Sequence, residues 1–81
     1  MKIKEFTEYL VKSVVTEPDM VKVSEFGGEE DSIILEVIVT EKDRGIVIGK
    51  SGATAKAIRT LVQAHAYILG LKQIKINIDS F

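Results

Sequence analysis

Apolar positions change their period several times along the chain, and each change marks an element. Ile3, Phe6, Leu10 and Val14 recur at helical spacing, with Val11 and Val15 widening the stripe, so residues 2–15 are expected to form a helix. Pro18 should end it, because the residue before a proline is pushed out of the helical region. In "MVKVSEF", residues 20–26, Val21 and Val23 alternate with Lys22 and Ser24, a strand pattern. "GGEED", residues 27–31, reads as a turn. "SIILEVIVT", residues 32–40, carries the strongest alternation: Ile33, Leu35, Val37 and Val39 on one face, Ile34, Glu36, Ile38 and Thr40 on the other.

Thr40 can cap a short helix from about Glu41 to Val47, with Asp43 at its third position, and Gly49 is a natural terminator. A loop, Gly49–Gly52, leads into a long helix over about 53–69 that stops at Gly70. Ile74, Ile76 and Ile78 alternate with Lys75, Asn77 and Asp79 in a last strand, residues 73–79. The order α-β-β-α-α-β predicts a two-layer α+β domain, a three-stranded sheet covered on one face by three helices, with residues 1–81 as one domain.

The long helix bears two apolar stripes, Ala55, Ile58, Val62, Ala66 and Leu69, and Ala57, Leu61, Ala64 and Ile68. They span roughly 200°, wider than a simple amphipathic helix needs. Either the helix touches both the sheet and the first helix, or part of the arc meets another subunit. His65, between the stripes, is expected to be a core histidine with a satisfied nitrogen.

Composition narrows the function classes. The chain has 81 residues, 46% hydrophobic, enough for one modest core. It has no cysteine, which excludes disulfides and thiolate metal sites and points to an intracellular, cytoplasmic protein. No segment reads as a signal peptide or membrane span. One histidine and scattered serines offer no nucleophile–base constellation, so no enzyme and no cofactor is expected. Glu29, Glu30 and Asp31 form a solvating cluster without the spacing of a calcium or other metal site.

Charge is uneven. Residues 41–60 hold Lys42, Arg44, Lys50, Lys56 and Arg59 against Glu41 and Asp43, a local +3 in a chain of net charge −1. Such a patch attracts a polyanion to one place on an acidic protein. At its centre is "IVIGKSG". A mononucleotide loop of the G-x-x-x-x-G-K-[ST] type would need its first glycine at position 44, which is Arg44, and a strand before it where a helix is expected. A bare G-x-x-G also serves to turn a corner. A backbone clamp fits better: small glycines admit a sugar-phosphate chain, the following helix presents unsatisfied amides, and Lys50 and Ser51 supply an ammonium and a hydroxyl. Lys56 and Arg59 extend the positive strip down that helix.

"DRGIVIGKSG" and "TAKAIRTLV", set in this element order, resemble the type II KH domain and the small stand-alone bacterial KH proteins of the KhpA kind. The resemblance covers essentially the whole chain. It implies a GXXG loop, Gly49, Lys50, Ser51 and Gly52, that clamps about four nucleotides of single-stranded RNA. It also implies an apolar pair before the loop, Val47 and Ile48, and a groove whose floor uses Ile46 with Val47 and whose far wall is the edge of the strong strand around Val37 to Val39, with Arg44, Lys56 and Arg59 alongside. Ala55 stands where the pattern has a large aliphatic, and Ala53 leaves the position after the loop uncharged. The five aromatics, Phe6, Tyr9, Phe26, Tyr67 and Phe81, are not interleaved with the basic patch, which argues against a stacking platform. The implied function is that of a small RNA chaperone or post-transcriptional regulator, paired with itself or with a Jag-type KH protein. The alternative is a scaffold module that kept the fold while nucleic acid binding became weak.

Overall fold

The computed structural model describes residues 1–27, 32–71 and 73–81; the expected turn and its acids at 28–31 lie outside that range. The sheet is built on β2, Ser32–Val39, which pairs antiparallel with β1, Lys22–Gly27, and parallel with β3, Gln73–Ser80, giving the order β1-β2-β3. Its alternation is as read from the sequence: Leu35, Val37 and Val39 lose all solvent exposure, while Ile34 stays on the open face. A parallel β2–β3 pair needs a crossover, and helices α2, Glu41–Ile48, and α3, Ala53–Ile68, supply it. Together with α1, Ile3–Lys12, they cover the inner face around Ile3, Val11, Val23, Val47, Ile58, Val62 and Ile76. This is the α+β order the periodicity predicts.

Several boundaries differ from the expected ones. Helix α1 stops at Lys12, short of the expected Val15; Ser13 completes the last turn, its hydroxyl donating to the Tyr9 carbonyl at 2.7 Å. Beyond it the chain makes a single 3₁₀ turn, Pro18–Met20, so β1 starts two residues later than expected, at Lys22. The last strand gains Ser80. Thr7, a polar position on α1, is fully buried, its hydroxyl donating to the Ile3 carbonyl at 2.8 Å. Of the two α3 stripes, the first is core (Ala55, Ile58, Val62 and Ala66), but Leu61 and Ile68 of the second are 50% and 78% exposed. Helix α3 therefore touches both α1 and β3, as one of the two readings expects, while the second stripe stays open.

Candidate nucleic-acid interface

The loop between α2 and α3 owes its shape to three positive-φ residues, Gly49, Ser51 and Gly52. Gly49 closes α2, donating its amide to the Gly45 carbonyl at 2.9 Å, with φ 76° and ψ 174°, a region open essentially to glycine alone. A side chain there would also strike Thr54, whose Cβ and amide nitrogen lie 2.7 and 2.8 Å from the position of an added Cβ. Lys50–Gly52 form one 3₁₀ turn, in which Ser51 holds a left-handed φ of 57° and ψ of 27°. Gly52, at φ 75°, faces open space. No side chain caps the sixteen-residue helix α3 that follows, so the positive end of its dipole is left facing the loop.

The cations of the patch stand free around this corner. Lys42, Arg44, Lys50, Lys56 and Arg59 are all exposed, and the one salt bridge among the described residues, Lys12 to Glu8 at 2.9 Å, lies elsewhere. From the loop, α3 runs beside an open trough of about 560 Å³. Arg59, Thr60, Gln63, Ala64 and Tyr67 form its helical wall, and Ile74 and Ile76 of β3 its apolar side.

This arrangement revises the sequence reading of the groove. Val37 and Val39 do not wall it: their side chains are fully buried, and β2 is the central strand with both edges hydrogen-bonded to neighbours. The strand with a free edge beside the trough is β3. Val47 likewise points into the core, whereas Ile46 is 40% exposed and Ile48 is half-buried, so those two form the apolar border next to the loop. Tyr67 is brought to the same trough as Arg59, although it stands eight positions further along the sequence. Thr60, Gln63, Ile74 and Ile76 are not legible as neighbours of the patch in the sequence, because their nearness depends on the crossover returning β3 to the side of α3.

Behind the site, Asp43 ties α2 to the segment after α1. Its carboxylate accepts the Thr16 amide at 3.1 Å, the Thr16 hydroxyl at 2.7 Å and the Glu17 amide at 3.0 Å. Its own amide donates to the Thr40 hydroxyl at 3.2 Å, completing the expected cap. Burial by itself would raise the Asp43 carboxyl. The hydrogen bonds from Thr16, Glu17 and Thr40 outweigh it and hold the group below its ordinary value. His65 is half-buried, stacks on Phe6 with ring centroids 4.4 Å apart, and sets Nε2 2.6 Å from the Met1 carbonyl, the satisfied role expected of it. Among the described residues no cluster of His, Cys, Asp or Glu could hold a metal ion.

Comparison with known proteins gives one family. The family described as "KhpA/KhpB, KH domain" matches residues 4–78. "RNA-binding protein KhpA" of Clostridium perfringens is 55% identical over 64 residues, covering 79% of this chain and 84% of the relative. The protein of the same description in Chlamydia caviae is 36% identical over 77 residues, covering 95% and 94%. Among solved structures, Era in complex with MgGDPNP and nucleotides 1506–1542 of 16S ribosomal RNA superposes with a TM-score of 0.73 at 22% identity. That match covers 98% of this chain and 30% of the Era chain, and it shows a shared fold.

Proposed function

The chain belongs to the KhpA/KhpB family of KH domains, and on that premise we propose that it binds single-stranded RNA at the Gly49–Gly52 corner. One observation carries this reading: an uncapped α3 N-terminus behind a positive-φ glycine loop, ringed by unpaired cations, on the helix whose later turns wall an apolar trough. In this reading the loop takes a phosphate on the amides around Lys50 and Ser51, with the ammonium and hydroxyl as further donors. Arg44, Lys56 and Arg59 neutralise neighbouring phosphates, and Ile46 and Ile48 border the entry. Bases lie against Ile74 and Ile76, where the free edge of β3 can meet their polar edges. Val37, Val39 and Val47 support this surface from beneath. The work is binding, without a catalytic step, by a single KH module in the cytoplasm acting as a small RNA chaperone or regulator.

Titration of a twelve-nucleotide single-stranded RNA at several salt concentrations tests it. With three to five cations each meeting a phosphate, the log–log slope should fall between roughly −2 and −3.5. The Lys50→Asp, Ser51→Asp double variant should bind at least about tenfold more weakly while its circular dichroism is unchanged. Binding indifferent to both acids in a folded protein rejects the loop as the contact.

One groove touches few bases, so useful affinity calls for a second module. The exposed stripe of Leu61 and Ile68, lying on the α3 face turned away from the core, supports self-pairing or pairing with a Jag-type KH protein. Sedimentation should show a concentration-dependent dimer for the wild type and a folded monomer for Leu61→Asp, Ile68→Asp. A monomer at every concentration in the wild type removes the homodimer.

A further inference from the structure

Positions on α3 that share one ridge can be read from the helical repeat of about 100° per residue. Starting at Gly52, that ridge passes through Lys56, Arg59 and Thr60, Gln63 and Tyr67. The last four of these line the trough between α3 and β3. The row thus begins at the phosphate-binding corner, continues through two cations and two hydrogen-bonding side chains, and ends on an aromatic ring. Tyr67 is 82% exposed, so its ring is not a core group, and no other described aromatic lies on this wall. Opposite it, Ile74 is half-buried and Ile76 nearly buried, giving the apolar side against which a flat ring system can rest.

We infer that Tyr67 is a stacking platform for a base at the far end of the RNA path, a contact additional to the loop clamp; the inference rests on the RNA-binding reading above. The distance from Gly52 to Tyr67 along the helix is about 22 Å. A strand held at the loop and directed down the cationic row arrives at Tyr67 only if it is long enough, and a base reaching the ring gains a face-to-face contact indifferent to sequence. The row of Lys56 and Arg59 favours a polyanion over an apolar partner for this path. A protein partner using Tyr67 together with neighbouring Ile68 is the competing occupant, and the test separates the two.

The probes are oligoadenylates from two to twelve nucleotides, titrated against Tyr67→Ala, Tyr67→Phe and Lys50→Asp, Ser51→Asp. Tyr67→Ala should weaken the twelve-mer by roughly 5- to 100-fold, and Tyr67→Phe should restore nearly all of it. The loss should vanish for dinucleotides, which cannot bridge loop and ring. Tyr9 and Tyr67 are the only tyrosines and there is no tryptophan, so in a Tyr9→Phe protein the intrinsic emission reports Tyr67 alone and should be quenched by the twelve-mer but not by the dinucleotide. Twelve-mer binding by Tyr67→Ala equal to wild type, with the loop variant still impaired, overturns the platform and leaves the loop reading intact. An unimpaired loop variant instead overturns the reading beneath it. A change in sedimentation of Tyr67→Ala without a change in RNA affinity assigns the ring to a protein contact and also overturns the proposal.

Discussion

Asp43→Ala should cost more thermal stability than any other single polar substitution in the described chain. The carboxylate has no solvent exposure and accepts three hydrogen bonds from residues 26 and 27 positions away, so its loss strands the Thr16 amide and hydroxyl and the Glu17 amide at once. Three hydrogen bonds to one charged acceptor are lost together, and for a domain of this size the midpoint should fall by roughly 10 °C or more. Asp43→Asn should lie between. Its oxygen can retain the Thr16 pair, but its amide NH₂ then confronts the Glu17 N–H, donor against donor. Differential scanning calorimetry at neutral pH ranks the three proteins, and an alanine variant melting with the wild type removes the tie.

The same group sets a pH dependence of stated sign. Its folded pKa lies below the ordinary aspartate value of about 3.9, so ionised Asp43 favours the folded state. That contribution is complete above the unfolded value and is lost as the pH falls through the depressed folded one. The wild type should therefore lose stability at the acid end of the range faster than Asp43→Asn, which has no proton to take up there. Parallel acid melts of the two proteins would remove Asp43 as the source.

Which features were legible in the chain follows from the range of the interactions that make them. The faces of β2, the cap at Thr40 and the stop at Gly49 depend on neighbours within a few residues, and all three were read correctly. Asp43 looked like a cap residue alone, because a local reading cannot see a partner 27 positions away. For the same reason α1 is expected to run to Val15: the amides of Thr16 and Glu17 are committed to Asp43, which holds the segment after α1 out of the helix. Thr7 hides its hydroxyl on its own helix, so its burial leaves no mark in the hydropathy pattern. The groove suffered most. Its glycines, its cations and Ile46 could be named from the motif, but which strand forms the far side depends on strand order. Two successive strands followed by a helical crossover can place the last strand at either edge of β2, and here it lies beyond β2 from β1. That makes β2 central, buries Val37 and Val39, and hands the trough to Ile74 and Ile76.

The two glycines of the loop should part company under mutation, and the contrast tests whether its shape is what binding needs. At Gly49, alanine meets two penalties. Its φ of 76° with ψ of 174° is a glycine-only conformation costing roughly 1–3 kcal/mol by itself. Its Cβ would also collide with Thr54, including the backbone nitrogen, so trimming the Thr54 side chain cannot clear the space. Relief requires the start of α3 to move away from the end of α2, which changes the shape of the loop that presents the amides. At Gly52 the added methyl meets nothing, and only the left-handed φ of 75° opposes it, a cost of about 1–2 kcal/mol. Gly49→Ala should consequently lower the melting temperature more than Gly52→Ala and lose RNA binding beyond the tenfold expected of the loop acids. Thr54→Ala combined with Gly49→Ala should recover part of the stability, because the hydroxyl contact goes, yet little of the binding, because the Cβ and backbone contacts stay. Equal behaviour of the two alanine variants, in melting and in RNA titration, would mean that close packing of Gly49 on Thr54 does not hold the loop in place. The amides of α3 would then owe their placement to something other than this corner.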